Sequence, residues 1–141
     1  MICLYCGGEM AVINSRAQKR NNQVWRRRQC QACRAVFTTH EAIDLSSALI
    51  VDYGASERPF SQDHLFTELL LALQDRRNYY RDARELTSTV VQELLKLPSL
   101  PHVKSKAISR AAAKVLKRLD RRAWLRYIAE HESLQAKPKL T

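Results

Sequence analysis

A chain of 141 residues with 45% hydrophobic content and only 3 Gly and 4 Pro has enough apolar material for a folded core and too little turn material for a linker-rich polymer. Its longest apolar run, residues 69–73, is far short of the roughly 20 residues that span a bilayer. No basic-then-apolar leader precedes Cys3, so a cytoplasmic protein is expected rather than a membrane-bound or secreted one.

The formal net charge of +10 is uneven: residues 1–46 carry 7 basic and 3 acidic groups, 47–100 carry 6 and 8, and 101–141 carry 11 and 3. Basic ends attract a polyanion such as DNA, because lysines and arginines that neutralise phosphates release condensed counterions. A solvated surface that aids solubility carries the same charge.

The length suits a small metal-stapled module at 1–46, a compact domain at 47–132 and a disordered tail at 133–141. All four cysteines lie in the first segment. There, β-tolerant runs at 10–13, 24–29 and 35–39 are separated by cysteine pairs and by the polar stretch 16–23. With few large apolar residues, this segment needs a staple to fold.

Cys3-x₂-Cys6 and Cys30-x₂-Cys33 provide one. Two tight knuckles can bring four thiolates around one tetrahedral Zn²⁺, which a closed structural site requires. Redox-active C-x-x-C motifs would need a βαβ context, and a pair of disulfides would suit a secreted chain. His40 is the only nearby substitute ligand, and beside two threonines it reads as an ordinary polar residue. Between the knuckles, Arg26, Arg27 and Arg28 follow Trp25. On a strand, Arg26 and Arg28 share a face with Val24, and Arg27 joins Trp25. Such a strand offers guanidinium forks to phosphates or guanine edges, with Arg16, Lys19 and Arg20 adding backbone contacts.

After a strand expected at 48–52, Gly54 marks a turn and residues 59–60 are extended. Ser61 caps a helix with Leu65, Leu69 and Leu73 on one face, ending near 74–77. A second helix spans about 81–96 with Leu86, Val90, Leu94 and Leu95 inward, and Pro98 and Pro101 stop it. A third begins at Ser105, its apolar face built from Ile108, Ala111, Ala112, Val115, Leu116 and Leu119, and a last helix carries Trp124, Leu125, Tyr127 and Ile128. Along the third, Lys106, Arg110, Lys114 and Lys117 form a basic stripe. The stripe reads as a second DNA contact, a site for an acidic partner, or a solvated face. The fold class is therefore α+β. No catalytic constellation stands out and four cysteines leave no open metal position, so an enzyme is not expected.

The first two pairs of motifs, Cys3-x₂-Cys6 with Ile13-Asn14-Ser15-Arg16 and Trp25-Arg26-Arg27-Arg28-x-Cys30-x₂-Cys33 with Phe37-Thr38-Thr39-His40-Glu41, resemble the NrdR family of ribonucleotide reductase repressors. Similarity continues through Arg58-Pro59-Phe60, Ser105-x-x-Ile108 and Leu116-Lys117-x-Leu119-Asp120-x-x-Ala123-Trp124-x-Arg126-Tyr127, covering about 1–131. The resemblance implies a zinc ribbon that binds double-stranded DNA, joined to an ATP-cone: a helical bundle with a β cap that binds ATP or dATP and switches the state of a homo-oligomer. Carried over by position, the nucleotide would meet Val51, Arg58, Phe60 and His64.

Departures fall in that cone. Val51-Asp52 stands where the family has a Lys-Lys or Lys-Arg pair, and His64 stands where a lysine usually precedes the leucine. A triphosphate is poorly held without fixed cations, and Leu49, Ile50, Val51 and Phe60 read as core packing ahead of base recognition. Two functions follow: a DNA-binding repressor whose cone sets oligomeric state, or an adaptor whose degenerate cone no longer senses nucleotides.

Overall fold

The computed structural model describes residues 1–131 and Leu134; apart from Leu134, the tail expected at 133–141 lies outside the described residues. The chain divides into two compact units, Met1–Asp44 and Leu45–Thr141.

In the first unit, β1 (Met10–Gln18), β2 (Gln23–Cys30) and β3 (Val36–Ala42) form an antiparallel sheet in that order. The polar stretch from 16 onward is not a loop, as its composition suggested. Residues 16–18 pair with Trp25, Val24 and Gln23, so β1 extends until a 3₁₀ turn at Lys19–Asn21, with Asn22 left-handed at φ 49°. Asparagine tolerates that conformation better than most residues. Among the described residues of this unit only Cys3 and Cys30 are buried. Its sheet thus has no apolar core to hold it.

The second unit opens with a single turn, α1 (Leu45–Ala48), closed by Leu49 N–H donating to the Leu45 carbonyl at 2.9 Å. That turn absorbs Ala48, so the expected strand starts two residues later as β4 (Ile50–Asp52). After it, Gly54 takes φ +90° and its N–H donates to Asp52 Oδ1 at 2.6 Å, turning the chain into β5 (Glu57–Pro59). The remaining elements are α2 (Gln62–Ala72), α3 (Tyr79–Leu94), β6 (His102–Lys104), α4 (Ser105–Leu119) and α5 (Arg121–Glu130). β6 lies parallel to β4 on the side away from β5. Three residues before a helix leave no periodicity to read, which is why the sequence did not announce it.

Leu65, Leu69, Leu73, Leu86, Val90, Leu94 and Leu116 pack with Val51, Val103, Phe60 and Tyr127 in one buried cluster. Leu95 and Leu119, expected inward, are exposed at 38% and 41%. They occupy the C-cap of α3 and the final position of α4, where the chain leaves the packed face.

α2 ends at Ala72, earlier than the 74–77 expected, and the connection to α3 is held by Arg76. Its guanidinium donates to Asp82 Oδ2 at 2.7 Å and to Asp120 Oδ2 at 3.0 Å. Asp120 also caps α5, accepting from Arg122 N–H at 2.8 Å and Ala123 N–H at 3.1 Å. The Ala123 N–H first, then Arg76, hold its carboxyl below the ordinary 3.8. Asp120→Ala should therefore lower stability by about 1–2 kcal/mol, read from the urea midpoint, through loss of a cap and a partly screened ion pair. Because the folded-state pKa is depressed, the carboxylate's contribution is complete above the unfolded value and is lost as pH falls through the folded one. The gap between wild type and Asp120→Ala should narrow below pH 3.8.

Candidate metal centre, nucleic-acid face and cavity

The two cysteine knuckles are built alike. Cys3 N–H donates to the Gly8 carbonyl at 2.8 Å and Cys30 N–H to the Ala35 carbonyl at 2.9 Å. Gly7 N–H donates to the Cys3 carbonyl at 3.0 Å and Arg34 N–H to the Cys30 carbonyl at 3.1 Å. Each turn needs a left-handed residue just after its second cysteine, Gly7 at φ 71° and Arg34 at φ 63°. Tyr5 N–H donates to Cys3 Sγ and Cys33 N–H to Cys30 Sγ, both at 3.4 Å.

All four sulfurs lie within 4.8 Å of one another, with Cys3–Cys33 at 3.6 Å and Cys6–Cys30 at 3.5 Å. A tetrahedron with arms of about 2.3 Å has an S···S edge of about 3.8 Å, so the cluster fits a tetrahedral ion and is too open for disulfides. Gly8 permits this approach: a Cβ there would stand 3.3 Å from both Cys6 Sγ and Cys30 Sγ and 3.1 Å from Ala32 Cβ.

The thiols also compete for charge. Backbone N–H donation, from Cys33 first, draws Cys30 down to about 6, and Cys3 is lowered first by the Cys6 backbone. Cys33 is pushed up to about 12, since the Ala35 backbone pulls it down less than the Cys6 thiol, burial and the other two thiols push it up. Four sulfurs this close do not all ionise without a cation among them. Four soft donors in a closed set suit one structural Zn²⁺, supplied by Cys3, Cys6, Cys30 and Cys33. His40 stands outside this group, on β3 opposite Trp25.

Directly opposed residues of an antiparallel sheet share a face. Arg27 is opposed by Asn14 and Thr38, and Trp25 by Arg16 and His40, so Arg16 and Arg27 lie on one face. Arg26 and Arg28 lie on the other, opposed by Ser15, Thr39, Val12 and Phe37. Arg26 Nη2 pairs with Glu41 at 3.0 Å and Arg28 Nε donates to Thr39 Oγ1 at 3.1 Å. Arg27 and Arg16 are exposed and make no ion pair among the described residues. Lys19 and Arg20 occupy the 3₁₀ turn at the tip of the β1–β2 hairpin.

In the second unit Val51, Arg58, Phe60 and His64 all line one cavity of about 480 Å³. Val51 and Phe60 are buried core, Arg58 sits on β5 opposite Val51, and His64 is exposed on the first turn of α2. Sequence reading missed Glu68 and His131, which also line the cavity. Glu68 Oε1 is 3.2 Å from His64 Nε2 and 3.5 Å from His131 Nε2, and Tyr127 OH donates to Oε2 at 3.5 Å. Burial first, then the Glu68 charge, pushes the Tyr127 phenol upward. The four-residue spacing of His64 and Glu68 was a legible signal; His131 comes from a distant helix end and left none. Among the described residues, the charged side chains lining the cavity apart from its two histidines are Arg58 and Glu68.

The family described as transcriptional repressor NrdR-like, N-terminal domain, matches residues 1–41. The chain is 30% identical over 144 residues to the transcriptional repressor NrdR of Leptothrix cholodnii, covering 99% of this chain and 97% of that protein. It is 28% identical over 136 residues to the protein of the same name from Nitrosomonas eutropha, covering 96% of this chain and 84% of the relative.

Proposed function

The chain belongs to the NrdR family of transcriptional repressors, and from that premise we propose that its ribbon reads duplex DNA at ribonucleotide reductase genes through the face bearing Arg27 and Arg16. One observation carries this reading: Arg27 is exposed and uncommitted among the described residues, whereas Arg26 and Arg28 are engaged by Glu41 and Thr39. A free guanidinium can fork onto guanine O6 and N7 or onto phosphate. Lys19 and Arg20 at the hairpin tip add backbone contacts that fix register. The test is to incubate the zinc-loaded full-length protein with sheared genomic DNA and sequence what it retains. Enrichment of a shared motif upstream of ribonucleotide reductase genes is expected; uniform retention would favour the adaptor reading.

In this reading the second unit sets the state of a homo-oligomer, which pairs ribbons on paired half-sites. Its cavity is within the size range of small-molecule sites, yet one arginine opposed by one carboxylate is a weak counterweight to a triphosphate. Calorimetric titration with ATP or dATP should give no saturable heat at tens of micromolar ligand, and light scattering should show no change in mass. Micromolar binding that shifts the mass would restore nucleotide sensing to this cavity.

A further inference from the structure

The cations of α4 are placed against the interests of the helix that carries them. Lys106 sits in its first turn, which holds no acidic residue, although the positive end of a helix dipole favours anions. Lys106, Arg110 and Lys114 then follow at four-residue intervals, with Lys117 close to the same line. Like charges at that spacing repel. By contrast, α3 mixes Arg81, Asp82, Arg84 and Glu85 in its first two turns, as an ordinary solvated helix does.

Among the described residues, no carboxylate forms an ion pair with this stripe. Lys106, Arg110, Lys114 and Lys117 are exposed, and none makes an ion pair among the described residues. Lys117 rests on the Trp124 ring, 5.0 Å from its centre. The carboxylate that feels the stripe, Glu93, already accepts from Lys96 at 2.9 Å. Lys96 first, with Lys114 and Arg118 behind it, holds the Glu93 carboxyl below its usual range. Four residues of helix rise about 6 Å, so the four cations are spread along about 16 Å of helix and can meet separate phosphates of a duplex.

We propose that the exposed Lys106–Arg110–Lys114–Lys117 stripe of α4 is a second duplex-DNA contact, binding the phosphate backbone without reading sequence. It rests on the chain being a DNA-binding repressor and is independent of which ribbon face reads bases. A repressor so equipped holds DNA through two separate electrostatic surfaces, one in each unit.

The test uses zinc-loaded full-length protein and a fluorescent 30-base-pair duplex of arbitrary sequence, titrated at several salt concentrations. The variant K106Q/R110Q/K114Q/K117Q should flatten the dependence of log affinity on log salt by about 3 to 4, since each phosphate contact contributes about 0.9. The charge-retaining variant K106R/R110K/K114R/K117R should keep the wild-type slope. R26Q/R27Q/R28Q serves as the independent arm: a flattened slope here reports the ribbon, whatever the stripe does. An unchanged slope and affinity in the folded quadruple Gln variant would overturn the proposal. So would a weakened slope accompanied by a changed molecular mass in light scattering, which would assign the stripe to contact between protein copies.

Discussion

Chelating the metal from the full-length protein is expected to unfold the ribbon and reduce DNA binding to a residual, sequence-independent level. Cys3 and Cys30 are the buried residues of that unit among those described, and the rest of its sheet is exposed or half-buried. Apolar burial therefore contributes little there, whereas zinc binding in finger-sized modules is worth about 10–16 kcal/mol at neutral pH. Specific affinity should fall roughly 10³-fold or more, the usual gap between specific and non-specific DNA binding. The second unit should survive, because its cluster around Leu69, Val90 and Leu116 contains no cysteine. Circular dichroism should keep most helical signal while Trp25 fluorescence changes. Acidification should act in the same direction as chelation, since thiolates must be deprotonated to hold the ion. Cys30→Ser should reproduce the loss. Metal-free protein, verified by elemental analysis, that still binds its operator at wild-type affinity would show that the ribbon does not depend on zinc.

Much of this architecture was legible because it depends on short-range chemistry. Two C-x₂-C pairs carry their ligand set in their spacing, and Ser61 with Leu65, Leu69 and Leu73 states both where α2 starts and which side is buried. The illegible parts depend on distance in the chain. β6 is a strand only because β4 lies beside it, and Tyr127 is buried only because α5 packs against the unit's other helices. The arginine run shows the boundary well. Period-two alternation separated Arg27 from Arg26 and Arg28, but which of them is free depended on Glu41 and Thr39, which β3 brings alongside. Within the cavity, the balance between Arg58 and Glu68 became visible only when β5 and α2 met.

Arg27→Ala should lower affinity for a specific duplex about 5- to 150-fold, the range that one well-made bidentate contact supports at about 1–3 kcal/mol. The salt slope should fall by about 0.9 if the guanidinium also displaces a counterion. Arg27→Lys separates the two contributions, since lysine keeps the charge but loses the planar fork: the salt slope should hold while discrimination between operator and scrambled duplex declines. Arg26→Ala offers the contrasting case. Its guanidinium bonds Glu41 and its Nε is buried without a hydrogen-bond partner among the described residues, so its removal should alter β2–β3 stability more than base recognition. Arg16→Ala, on the same face as Arg27, should add its loss to that of Arg27→Ala if both contact one duplex without contacting each other. Fluorescence anisotropy on these four variants and on Arg28→Ala decides which face of the sheet meets DNA. Full affinity in Arg27→Ala with large losses in Arg26→Ala and Arg28→Ala would place DNA on the opposite face, and Glu41 would then have to release its arginine for binding to occur.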